Sequence, residues 1–148
     1  MLAQGATEYI ILLGIALIVA LAGVAVLGFM NGTVSDAQLI QSSMYWVAAT
    51  PIAIVEHAVS AQDGTATIII KNNDLAEGVT ILEVALGNAS NSTSFQLGPG
   101  KQALMSVSGL GAHAQGSVYD LNVTIAYNSS YGLMKVQHGT KNLVGKYS

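Results

Sequence analysis

The chain of 148 residues contains no cysteine. Disulfides, thiolate metal ligands and a cysteine nucleophile are excluded together. A small exported domain without disulfide staples needs another source of stability, and binding to copies of itself is one, because ligation of the folded state stabilises it by mass action. Arginine is also absent, and five lysines against eight acidic residues leave a net charge of −3. Neutralising a phosphate backbone takes concentrated Lys and Arg, so a nucleic-acid partner is excluded. Charge of either sign is scarce, at 9% of residues against about a quarter in ordinary soluble domains. With 51% apolar residues, much of this surface must be covered by something other than water.

What the chain does contain is unevenly spread. No charged side chain lies between Glu8 and Asp36, whereas the other six acidic residues and all five lysines lie from Glu56 onward. Ile10 to Met30 is a 21-residue apolar run interrupted only by Gly14, Gly23 and Gly28. A bilayer span takes roughly 20 such residues, and a secretory h-region only about 7–15 behind a basic start. No lysine or arginine precedes the run, so the chain reads as already processed. Small residues, Gly14, Ala20, Gly23 and Gly28 among them, let neighbouring helices approach closely in an apolar medium.

Beyond the run, Ala37, Ile40, Met44, Val47, Ala48, Val55 and Ala58 fall near a 3.6-residue repeat, with Ser35, Asp36, Gln38, Gln41, Ser42 and Ser43 between them. The spacing predicts a helix that bends at Pro51 and continues to about Ser60. The expected organisation is α+β. A long N-terminal apolar helix over 1–60, divided into a membrane or filament core (1–30) and an amphipathic part (31–60), precedes a small antiparallel, immunoglobulin-like β-sandwich over 61–148 on which the amphipathic part packs.

The most specific stretch is Gln4-Gly5-Ala6-Thr7-Glu8-Tyr9-Ile10-Ile11-Leu12, which sets a lone carboxylate at the mouth of an apolar helix. An ionised glutamate is costly to bury without a positive partner. The helix macrodipole supplies only about 0.3–1 kcal/mol, so a neighbouring chain's terminal amine is the better counter-charge. Here the sequence resembles archaeal type IV pilins with class III signal peptides, whose motif reads Gln-x-Ser/Ala-x-Glu-x-x-x-Leu ahead of an apolar helix. Gln4, Ala6, Glu8 and Leu12 match it, with Met1-Leu2-Ala3 ahead of the glutamine as a departure. The resemblance implies a precursor held in the membrane, trimmed by a prepilin peptidase, and passed by pilus assembly machinery into an extracellular filament of its own copies.

From about Thr65 the period changes to two. Ala66/Ile68/Ile70, Leu82/Val84/Leu86, Phe95/Leu97 and Tyr119/Leu121/Val123/Ile125/Tyr127 each alternate with more polar neighbours, which is the strand signature. Pro99-Gly100 suits the centre of a type II turn. Five asparagines of eight begin N-x-Ser/Thr sequons, namely Asn31, Asn88, Asn91, Asn122 and Asn128, and glycans there would cover surface that charge does not. Asn31 follows the apolar run directly and is the poorest acceptor, whereas Asn122 falls on the polar side of its strand.

Chemistry is harder to find. His57, His113 and His138 have no metal or triad spacing and read as surface histidines. Asp63, Glu77, Glu83 and Asp120 could pair as a Ca²⁺ or glycosidase site, but no loop motif accompanies them. Tyr45 and Trp46 read as domain-packing aromatics. The expectation is a structural filament subunit used in adhesion, without cofactor or enzymatic activity. The alternatives are a monomeric membrane-anchored binding domain and an archaellum subunit, the latter opposed by the class III form of the motif.

Overall fold

A computed structural model describes the backbone from Leu2 to Ser148 and the side chains of residues 6–22 and 36–148. The chain divides into two units, Met1–Ala37 and Gln38–Ser148. Helix α1 is Leu2–Ala48. Ten strands follow among the described residues: β1 (Ile52–Val59), β2 (Ala66–Asn72), β3 (Val79–Leu86), β4 (Ala89–Asn91), β5 (Phe95–Leu97), β6 (Gln102–Val107), β7 (Val118–Leu121), β8 (Val123–Asn128), β9 (Met134–His138) and β10 (Leu143–Lys146).

The expected fold class is corrected here. Among the described residues strand outweighs helix. No helix among the described residues is long and apolar enough to cross a membrane. The fold is mainly β and sandwich-like, and a long apolar N-terminal helix is not its defining element.

The boundary at Ser60 also moves. α1 stops at Ala48, and Asn73 closes its end by donating from Nδ2 to the carbonyls of Val47 (3.1 Å) and Ala49 (2.9 Å). These are carbonyls that a helix end leaves without intrahelical partners. After the cis Thr50–Pro51 peptide the chain enters β1, so the residues expected as the last helical turns are a strand of the sandwich. The reason is local. Ile52-Ala53-Ile54-Val55 is β-branched at three of four positions, which favours the pleated strand, and a bulge between Ile54 and Glu56 breaks the alternation that would have announced it.

Two sheets enclose the core. One runs β1-β2-β6, the other β4-β3-β8-β9 with β5 also on β3, and β7 pairs with β10 separately; every pairing is antiparallel. Ile52, Ile54, Ile68, Ile70 and Val107 of the first sheet and Ile81, Val84, Leu86 and Ile125 of the second are fully buried together with Trp46 and Leu143. Each such side chain contributes about 1.5–3 kcal/mol relative to exposure. Gln137 of β9 ties the second sheet to the first, since its Oε1 accepts from the Ile52 amide (3.1 Å) and its Nε2 donates to the Ile52 carbonyl (2.8 Å). A side-chain amide thus supplies the two hydrogen bonds that a neighbouring strand would otherwise make.

Three further expectations change in detail. In β3 the bulge between Ile81 and Glu83 makes Ile81 the fully buried residue and leaves Leu82 half-buried. The single strand read from Tyr119 to Tyr127 is two, β7 and β8, which part at Asn122 and join different sheets. In the helical segment 38–48 the buried side is Ser42 and Trp46, with Tyr45 half-buried, whereas Ile40, Met44 and Val47 are exposed. Trp46 and Tyr45 pack on the domain as expected, but beside them Ser42, rather than the apolar row, turns inward. Its Oγ donates to the Asn142 carbonyl (2.8 Å) and accepts from the Val144 amide (2.9 Å).

Candidate assembly surface

The described part of the first unit carries a band of apolar side chains on every side of the helix. Tyr9, Ile10, Ile11, Leu12, Leu13, Ile15, Leu17, Ile18, Val19 and Leu21 are each between 54% and 68% exposed. A helix that is apolar all round belongs in a buried setting. At about 1.5–3 kcal/mol per side chain, leaving these residues in water is a large cost. Exposed patches of this extent mark interaction surfaces. Scattered single leucines need no such explanation, but ten consecutive-turn residues do.

The motif residues lie at the head of this band. Ala6, Glu8 and Leu12 are exposed, and Glu8 is the one carboxylate among the described residues of α1 ahead of Asp36. Gly14 has open space where a side chain would stand, so a neighbouring helix could approach its backbone. Ala20 is likewise exposed. Gln4, Gly23, Gly28 and Asn31 lie outside the residues whose surroundings are described. Ile40, Met44 and Val47, at helical spacing in the second unit, form a further exposed apolar row that the hydropathy pattern had placed inward.

Elsewhere the second unit holds polar features of a different kind. Gln38, Gln41, Asp120, Thr140, Lys141 and Asn142 line an open groove of about 320 Å³. His57, expected at the surface of a helix, is half-buried on β1, with Nδ1 2.6 Å from the Tyr119 hydroxyl. Burial holds the His57 imidazole below its ordinary pKa, and pushes the Tyr119 phenol up to about 12, with Tyr147 adding to the shift. The Tyr119 ring is seated by Gly145, its partner directly across β7 and β10, where a side chain would collide with the phenol. His113 stacks on Tyr147 at 4.2 Å between centroids, and His138 is exposed, its Nδ1 3.3 Å from the Thr124 hydroxyl. No sequence signal distinguished His57 from the other two histidines, because its partner is 62 residues away.

Three of the four carboxylates considered for metal or glycosidase chemistry take up separate hydrogen bonds. Asp63 accepts from the Thr65 amide, which holds its pKa below the usual range, Glu77 accepts from the Ser130 hydroxyl, and Glu83 accepts from the Ser92 hydroxyl. Asp120 lines the polar groove. Among the described residues no group of three or more His, Asp or Glu side chains is placed to hold a metal ion.

The sequons are not equivalent. Asn88, in the turn between β3 and β4, and Asn122, between β7 and β8, are exposed, whereas Asn91 and Asn128 are half-buried. Asn91 donates from Nδ2 to the Ser106 carbonyl at 2.6 Å. Comparison with known proteins finds no family model that matches this chain and no curated protein similar to it.

Proposed function

We propose that this chain is the structural subunit of an extracellular filament, of the kind its Gln4–Leu12 motif resembles, and that copies pack through the apolar surface of α1. The exposed band from Tyr9 to Leu21 is the observation that carries this reading, because the β-domain already has a complete core of its own and the band has none. A second copy brings an identical band, so each supplies the apolar cover the other needs. Packing of one patch against a different patch of the next copy is heterologous and propagates as a fibre. Burying even part of ten large side chains per subunit offsets the freedom lost on association, which costs an estimated 4–15 kcal/mol.

Glu8 has a defined role in this arrangement. A carboxylate at the head of the band enters the packed interior with its neighbours and pairs there with a positive group of an adjacent copy, since an unpaired buried charge is strongly unfavourable. The β-domain then provides the adhesive surface.

Electron microscopy of material sheared from the surface of cells that make the chain tests this directly. Filaments decorated by antibody against the β-domain support the reading, and recovery of the chain only from detergent-solubilised membrane contradicts it. Glu8→Gln is expected to lower filament yield while the β-domain stays folded by circular dichroism. Unchanged yield removes the pairing role of Glu8.

A further inference from the structure

We propose that Asn88 and Asn122 carry N-linked glycans and that Asn91 and Asn128 do not, although all four begin the same three-residue sequence. Transfer to asparagine forms a bond between Nδ2 and the anomeric carbon of a sugar held as a glycosyl phosphate. The bond from that carbon to the phosphate oxygen breaks, the phosphate leaves with the electron pair, and one amide proton is lost to a base. The chemistry requires an asparagine whose amide is accessible and whose backbone can bend into the transferring site.

Asn88 and Asn122 meet the first condition, and each falls between strands rather than within one, with the Thr124 hydroxyl of the second sequon 3.3 Å from His138 Nδ1. Each is exposed, each lies outside a paired strand, and among the described residues no hydrogen bond engages either side-chain amide. They are also neighbours. Gly87, immediately before Asn88, takes a positive φ of 58° and donates its amide to the Asn122 carbonyl at 2.9 Å. Two glycans would therefore rise near each other, beside the short strand β4 at one end of the strand order of the larger sheet. Bulky polar cover at an edge opposes unwanted pairing with other strands.

The other two described sequons are tied down. Nδ2 of Asn91, the atom that would take the sugar, is committed to the Ser106 carbonyl, and its Oδ1 accepts from the hydroxyl of Thr93 in the same sequon. Asn128 ends β8, paired with Thr80 on one side and Met134 on the other. Its sequon then enters a tight turn in which Ser129 bonds Leu133 and the Ser130 hydroxyl donates to Glu77.

Glycan transfer rests on the reading of the chain as exported, so the two must be tested separately. Intact mass and glycopeptide mapping of the chain isolated from its own cells read modification, while microscopy of the same material reads assembly. The expected result is two glycosylated peptides, one with Asn88 and one with Asn122. Asn88→Gln and Asn122→Gln should each remove one glycan from the intact mass, and Asn91→Gln none. A mass equal to the bare 15.2 kDa chain, the lack of a glycan at either asparagine, or a glycan on Asn91 or Asn128 overturns the proposal. Filaments of bare chain would contradict this inference alone, and glycosylated chain that never forms filaments would contradict only the assembly.

Discussion

Two regions of this molecule treat apolar side chains in opposite ways. In the unit Gln38–Ser148 the isoleucines and valines of two sheets are fully enclosed, and polar side chains such as Asn72 and Ser42 that go inward take hydrogen bonds with them. In Met1–Ala37 the described isoleucines and leucines face outward on all sides. The first arrangement is complete within one chain, because each strand finds a partner in the same domain. The second is complete only with something outside the chain. If the proposed packing of α1 holds, the contrast separates what lets the protein fold from what would let it assemble, and changes in one region should leave the other's property largely intact.

The strongest way to break that separation is to place charge in the band. Leu13→Asp combined with Ile18→Asp should abolish sedimentable polymer, because two buried carboxylates without partners are each strongly unfavourable. The thermal midpoint of the β-domain should move by no more than the equivalent of about 0.5 kcal/mol, as for exposed substitutions generally. The converse change is Ile125→Ala, which opens a cavity in the centre of the sandwich and should cost about 2–5 kcal/mol in denaturant titration. Gly145→Ala should cost less, about 1–3 kcal/mol, as the added methyl pushes the Tyr119 ring away from its seat and from His57.

The smallest effect is a pH dependence confined to the β-domain. His57 has its pKa lowered by burial, so the unfolded chain binds the more protons, and stability should fall as pH drops below about 6.5 until the folded imidazole also titrates. Tyr119 works in the opposite direction. Its pKa is raised from 10.0 to about 12, so the stability it contributes is full below pH 10 and is lost as pH rises toward 12. Thermal scans of His57→Gln should lose the acid limb and keep the alkaline one.

Much of the sandwich was legible from alternation alone, as Ala66, Ile68 and Ile70 are buried on β2 where period two placed them. Gly100 takes a positive φ of 68° in the turn closed by the Lys101 amide on the Gly98 carbonyl, as Pro99-Gly100 implied. The errors fall where a single residue shifts the period. Bulges within β1 and β3 hid one strand and reversed Leu82 with Ile81, and the break at Asn122 divided another. On the inward face of residues 38–48, Tyr45 and Trp46 were legible as packing aromatics, whereas Ser42 was not, because it is fixed by backbone groups about 100 residues away, a contact that hydropathy does not encode. The apolar band itself was visible from the sequence, since absence of charge is a property of composition rather than of register.

Because the chain has no cysteine, one introduced thiol reports its own surroundings without interference. Leu17→Cys lies in the middle of the band, and Leu75→Cys, at a site 82% exposed in the β-domain, serves as the reference. Labelling by a water-soluble thiol reagent should be equally fast at both sites in dissociated chain. In the polymer, the account predicts that Leu17→Cys becomes protected while Leu75→Cys still reacts. Equal labelling of both sites in the polymer would contradict the central claim that copies of this chain cover the band.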